Sequence, residues 1–169
     1  MKENYLFKCF AVVIISFFID STISFFLPYN YTKTCITIIP YIGLMMFALL
    51  VKTIEGPERY FFSAVCGVYY SIVYSNSLAI YILIYCLIAF VRSYIIKLES
   101  FSIIESSIFC ISTIFIGEMI VYWLMWITKM TSFSLISFIQ VRLLPTLLLN
   151  FALSFLVYWV YNSIKIEVK

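Results

Sequence analysis

From Tyr60 to Val91 the chain runs 32 residues without a charged side chain. As one helix that run would reach about 48 Å, against a hydrocarbon core of about 30 Å. A single crossing does not fit. Ser75, Asn76 and Ser77 lie at its middle and are its most turn-like residues, so the run reads as two short helices, 60–75 and 78–94, joined by a tight hairpin. Each is barely long enough to span, which implies a locally thin fold or a hairpin that crosses incompletely.

Other apolar runs flank this one, and 64% hydrophobic against 11% charged residues excludes an ordinary soluble domain. The expected fold is all-α: a single-domain polytopic membrane bundle of about six transmembrane helices, the other four at 7–27, 35–51, 106–128 and 143–164. No small-x-small cleavage site follows the first run, so that helix is expected to remain in the mature protein. Pro28, Tyr29 and Asn30 break it, and Lys33 follows in a short loop. The second run has Pro40 near its start. After it, KTIEGPER (Lys52 to Arg59) holds four charges with Gly56 and Pro57, a turn in water. Arg92 to Glu105 reads as a polar connection lying partly at the interface. Phe133, Ile136 and Ile139 recur at helical spacing opposite Ser and Gln, which suggests a short amphipathic surface helix before the last span. If both termini are cytoplasmic, eight cations fall inside and Lys33, Lys129 and Arg142 outside, which favours an N-in/C-in bundle.

Embedded polar residues are few. In Arg142 to Asn162 the strongly polar or helix-breaking residues between the ends are Pro145, Thr146 and Asn150; Pro145 falls in the expected first turn, and the Asn150 amide should face another helix. Asp20 lies two thirds along the first span and either reaches the interface or faces a protein-lined polar site. Glu118, after Gly117 near the middle of the fifth span, should be protonated, hydrogen-bonded or turned toward the bundle interior. Asp20 and Glu118 could form a proton relay only if the fold brings them together. Histidine is absent, and the five cysteines sit in or beside apolar runs without CxxC spacing, as packing residues do. No nucleophile with its base, phosphate-cradling glycine loop or metal-ligand spacing is present, so a non-catalytic protein without cofactor or metal is expected. The modest, dispersed net charge of +3 gives no footprint for nucleic acid.

The run RLLPTLLLN (Arg142 to Asn150), followed by an apolar helix and a short basic tail, resembles the C-terminal signature of the rod shape-determining protein MreD family. GVYYSIVYSNSLAIYILIY (Gly67 to Tyr85) is similar to that family's central stretch, with Ser71 in place of its usual Asp and Ala79 in place of the Gly after the turn. Glu118 and Gly56 also have counterparts there. The resemblance implies a multi-pass protein of the bacterial cytoplasmic (inner) membrane. Such a protein is a non-catalytic subunit of the cell-elongation machinery that binds MreC and helps couple peptidoglycan synthesis to cell shape. RodA, a class B penicillin-binding transpeptidase and, where present, MreB would be associated, and a homo-oligomer is compatible with this role. The family's fold is also thought similar to the six-helix substrate-binding subunits of energy-coupling factor transporters.

Two functions follow. In the first the bundle is a scaffold that receives a partner's transmembrane helix. Ser63, Ala64, Gly67 and Ser71 cluster within about two turns and permit close helix approach, either to that partner or within the subunit. In the second, Asp20, Glu118, Gln140 or Arg142 recognises a vitamin-like solute in an outer pocket. The scaffold is favoured by the C-terminal signature.

Overall fold

A computed structural model describes residues 2–27, 36–74, 78–95 and 102–164. Every regular element among them is helical: α1 (Lys2–Phe26), α2 (Ile42–Leu50), α3 (Pro57–Tyr74), α4 (Leu78–Phe90), α5 (Ile103–Ile127), α6 (Leu135–Phe138) and α7 (Leu144–Ile164). Three helical stretches are long and apolar enough to cross a membrane: Tyr5–Phe26, Ile103–Ile127 and Leu135–Ile164. The solvent these helices expect is written in their surfaces. Phe18, Ile108, Leu148, Leu156 and Trp159 face outward and are largely exposed, while Asp20, Glu118, Thr146, Asn150 and Ser154 are buried. Apolar outside and polar inside is the distribution that lipid imposes.

α2 is the centre. Eight of its nine residues are buried, Gly43 to Leu50, and α1, α5 and α7 pack around it. On α1 the buried positions Cys9, Val13, Ser16, Phe17 and Asp20 recur at helical spacing and form the face turned to α2. Phe47 of α2 stacks on Phe62 of α3 at 5.5 Å between ring centroids and meets Tyr85 of α4 at 4.7 Å. Gly43 makes room for Phe17, whose ring would lie 2.3 Å from a Cβ at that position.

The second expected span is not a membrane-length helix. Residues 36–41 form no regular element, and helix begins only at Ile42, ending with a 3-10 turn at Val51–Thr53. Pro40, which has no N–H to give a helix, lies in the non-helical part. The turn that follows is as expected: Glu55 to Glu58 are exposed, Gly56 has φ +64°, and Pro57 takes the first helical position.

α3 and α4 form the most extensive helix pair of the molecule. Gly67 is the reason they lie so close, because a Cβ there would stand 2.7 Å from the Ile82 Cα. The expected turn at 75–77 falls outside the described residues, as do the Pro28–Asn30 break, Lys33 and the basic tail after Ile164. Arg92, expected in a polar connection, instead continues α4 as part of a π-turn, Val91–Ile95, and is 3% exposed with its guanidinium over the Phe109 ring.

α5 starts at Ile103, earlier than expected. Ser102 and Glu105 form a capping box: the Ser102 hydroxyl accepts from the Glu105 N–H at 3.3 Å, and the Glu105 carboxylate accepts from the Ser102 N–H at 2.8 Å. At the other end Lys129 has φ +56°, and the Lys129 and Met130 N–H groups return to the Trp126 and Met125 carbonyls, closing the helix as a Schellman turn. The separate surface helix is not formed. Ser134 caps a helix that runs unbroken from Leu135 to Ile164, and Phe138 is the buried residue of its first turns while Ile136 is 68% exposed.

Candidate functional site

The polar residues predicted to be embedded meet along one seam, where residues 36–41 lie against α7. Three contacts tie them: the Thr37 N–H donates to the Val141 carbonyl at 2.9 Å, the Ile39 N–H to Thr146 Oγ1 at 3.4 Å, and the Tyr41 N–H to Asn150 Oδ1 at 2.8 Å. As the donors advance from Thr37 to Tyr41, their acceptors advance from Val141 through Thr146 to Asn150. The two segments therefore stay in register while running in the same direction.

Each anchor on α7 has a local cause. Pro145 lacks the N–H that would engage the carbonyl four residues earlier, which is Val141, and that carbonyl accepts from Thr37. The helix accommodates the change with a π-turn, Ile139–Leu143, in which the Leu144 N–H reaches the Ile139 carbonyl. Pro145 is thus well inside a continuous helix, not in its first turn. Thr146 and Asn150 are four apart, hence on one face, and both are fully buried. The Asn150 amide also donates to the Ile39 carbonyl at 2.7 Å and to the Thr146 carbonyl at 2.8 Å, so it serves the backbone of residues 36–41 through both ends of its dipole. Its partner is a backbone segment, where a helix was expected.

Asp20 completes the junction. Its two oxygens accept from the Ile42 and Gly43 N–H groups at 2.7 and 2.8 Å, capping the start of α2 from a different helix. A carboxylate at a helix N-terminus satisfies orphan donors and meets the positive end of the dipole. Asp20 is 2% exposed and, among the described residues, has no direct hydrogen bond to Glu118.

Glu118 lies at the other side of Tyr41. The Tyr41 hydroxyl donates to its Oε1, and Arg142 donates through Nε to Oε2 at 3.0 Å and through Nη2 to Oε1 at 3.2 Å. Glu118 is 2% exposed, while the Arg142 side chain keeps 30% of its surface open. Arg142, expected at the outer boundary of the last span, is therefore an embedded partner. It and Glu118 line an open pocket of about 110 Å³, walled by Tyr122, Met125, Phe133 and Phe138. The Tyr122 hydroxyl, donating to the Phe133 carbonyl at 3.1 Å, fixes the rim.

Ser63, Gly67 and Ser71 lie elsewhere. All three are buried on α3, Gly67 where it meets α4, and the hydroxyls of Ser63 and Ser71 bond to carbonyls of their own helix; Ala64 beside them is half-buried. Of these, Gly67 packs within the subunit, against the Ile82 backbone. Tyr41 and the backbone of 37–41 went unpredicted as members of the site. Pro40 and Pro145 were the available signals, one marking a donor missing from the segment and the other an acceptor released by the helix. Comparison with protein-family models, with curated proteins and with solved structures finds no match to this chain.

Proposed function

We propose that this protein is a non-catalytic scaffold of the MreD kind in a bacterial cytoplasmic membrane, binding MreC and helping couple peptidoglycan synthesis to cell shape. The observation that carries the proposal is how the embedded polar groups are used. Asp20, Thr146, Asn150 and Glu118 each hold one segment of the chain to another. Side chains so engaged serve shape, and a fixed shape is what a protein that seats another protein's helix requires. The stretch that resembles the family signature, Arg142 to Asn150, is the one that clamps residues 36–41, which gives that signature a physical reason. RodA, a class B penicillin-binding transpeptidase and MreB would be reached through the same assembly.

Six crossings with both termini inside remain our reading of the topology. Residues 36–53 combine up to about 20 Å of non-helical chain with about 18 Å of helix, enough for a core of about 30 Å. Tyr5, Thr53 and Tyr161 gather at one end of the bundle, with Arg92 beside Tyr161. With Arg92 and Arg142 removed from the loops, Lys2, Lys8, Lys52, Arg59, Lys97, Lys165 and Lys169 fall inside, and Lys33 and Lys129 outside. Reporters fused at either terminus are expected to be active only in the cytoplasm.

The pocket lined by Arg142 favours a second reading, a vitamin-like solute site of a transporter subunit. Of the residues expected to converge there, Asp20 caps α2 and Gln140 is exposed outside the lining, which leaves Glu118 and Arg142. A pull-down of the tagged protein from native membranes separates the two. Recovery of MreC with a cell-wall synthase is expected; recovery of an ABC-type ATPase pair with a bound vitamin would replace the scaffold reading.

A further inference from the structure

The Glu118 carboxylate occupies only one side of the Arg142 guanidinium. Nε and Nη2 bond to Glu118, and among the described residues Nη1 has no hydrogen-bond partner. A guanidinium carries five N–H donors in a rigid plane, and bonds to a first carboxylate leave an edge shaped for a second oxyanion. Both residues line the pocket, but the Arg142 side chain keeps 30% of its surface open while Glu118 keeps 2% and already accepts from Tyr41. The first charge met by a group entering the pocket is therefore positive.

The walls suit an apolar body. Tyr122, Met125, Phe133 and Phe138 supply apolar surface, with Thr131 and Ser137 as the polar members nearer the loop. Lys129 sits two residues before Thr131 and adds a cation to the turn that forms the rim. On the outside of the same end of α5, Trp123 and Trp126 are about half exposed, where indole rings mark the headgroup level of a bilayer.

We propose that this pocket binds an oxyanion, phosphate or carboxylate, carried on an apolar body, with the oxyanion accepting from the free edge of Arg142 and the apolar part lying between Tyr122, Met125, Phe133 and Phe138. An acidic phospholipid of the surrounding bilayer and a soluble anion share this chemistry. The site does not depend on the scaffold reading, since it requires only that the chain lie in a membrane.

The full chain is reconstituted in phosphatidylcholine nanodiscs containing a minor share of phosphatidylglycerol, and retained lipid is measured by mass spectrometry after partial delipidation. A parallel arm follows the thermal midpoint in detergent with inorganic phosphate. Two variants accompany the wild type. Arg142→Lys keeps a cation for Glu118 and removes the Nη1 edge. Ser137→Asp places a carboxylate in the pocket at the third position of a helix capped by Ser134, where an acid is tolerated, and leaves the Arg142–Glu118 pair untouched. Enrichment of phosphatidylglycerol by about tenfold, the order a charge-assisted hydrogen bond gives, lost in Ser137→Asp at unchanged thermal midpoint, is the expected result. A phosphate-dependent shift lost in the same variant, without lipid enrichment, would assign the site to a soluble anion. Absence of both effects in the wild type, or lipid enrichment that survives both variants, overturns the proposal.

Discussion

Asn150 gives the clearest separation between what a residue demands and what meets the demand. Its type and depth required a hydrogen-bond partner; that the partner is the backbone of Ile39 and Tyr41 left no trace in side-chain identities. Replacing it with Leu takes a bond from one buried N–H and from two carbonyls, Ile39 and Thr146, and the expected loss is about 2–5 kcal/mol, read as a lower thermal midpoint of the purified protein in detergent. Asn150→Asp keeps the acceptor for Tyr41 and is expected to fall between the two. Glu118 was equally legible as a residue that must be satisfied inside the bundle, but Arg142, 24 positions away, was read as a boundary cation because nothing local announces a pairing. Removing either partner alone is expected to cost about 3–5 kcal/mol, whereas Glu118→Leu combined with Arg142→Leu should be milder than either single change, since no charge is then left without its counterpart. A double-mutant cycle on the thermal midpoint measures the difference.

At the scale of elements, the long helices were readable because lipid dictates composition over twenty or more residues. The second run was not, because an interior segment is apolar whether it is coiled or extended; only Pro40 hinted at the break. The surface helix before the last span was drawn from the helical spacing of Phe133, Ile136 and Ile139; the spacing is helical, but the helix runs on into the last span, and the pairing of Arg142 with Glu118 removes the reason for a boundary there. Among the small residues of α3, Gly67 meets the α4 backbone closely, and only the fold assigns that contact to α4. Gly67→Ala tests it. The added methyl meets the Ile82 backbone, which cannot rotate aside as the Phe17 ring opposite Gly43 can, so α3 and α4 must part. A loss of about 1–3 kcal/mol in thermal stability is expected.

For the whole molecule, the non-helical segment beside α7 joins residues more than a hundred positions apart: 109 separate Tyr41 from Asn150. Such a join ties the order of synthesis to the order of folding. When residues 36–41 leave the ribosome, the side chains that will receive their peptide groups have not been made, and a helix as short as α2 is a poor substrate for independent insertion. The nascent chain must shelter these peptide groups until α7 arrives. A chain truncated after Met130 is therefore expected to be degraded in cells instead of accumulating, and supplying residues 131–169 as a separate polypeptide should restore its level on immunoblots of membranes. Quality control could then read completion of this protein from a single fact, whether its last helix has found its second segment.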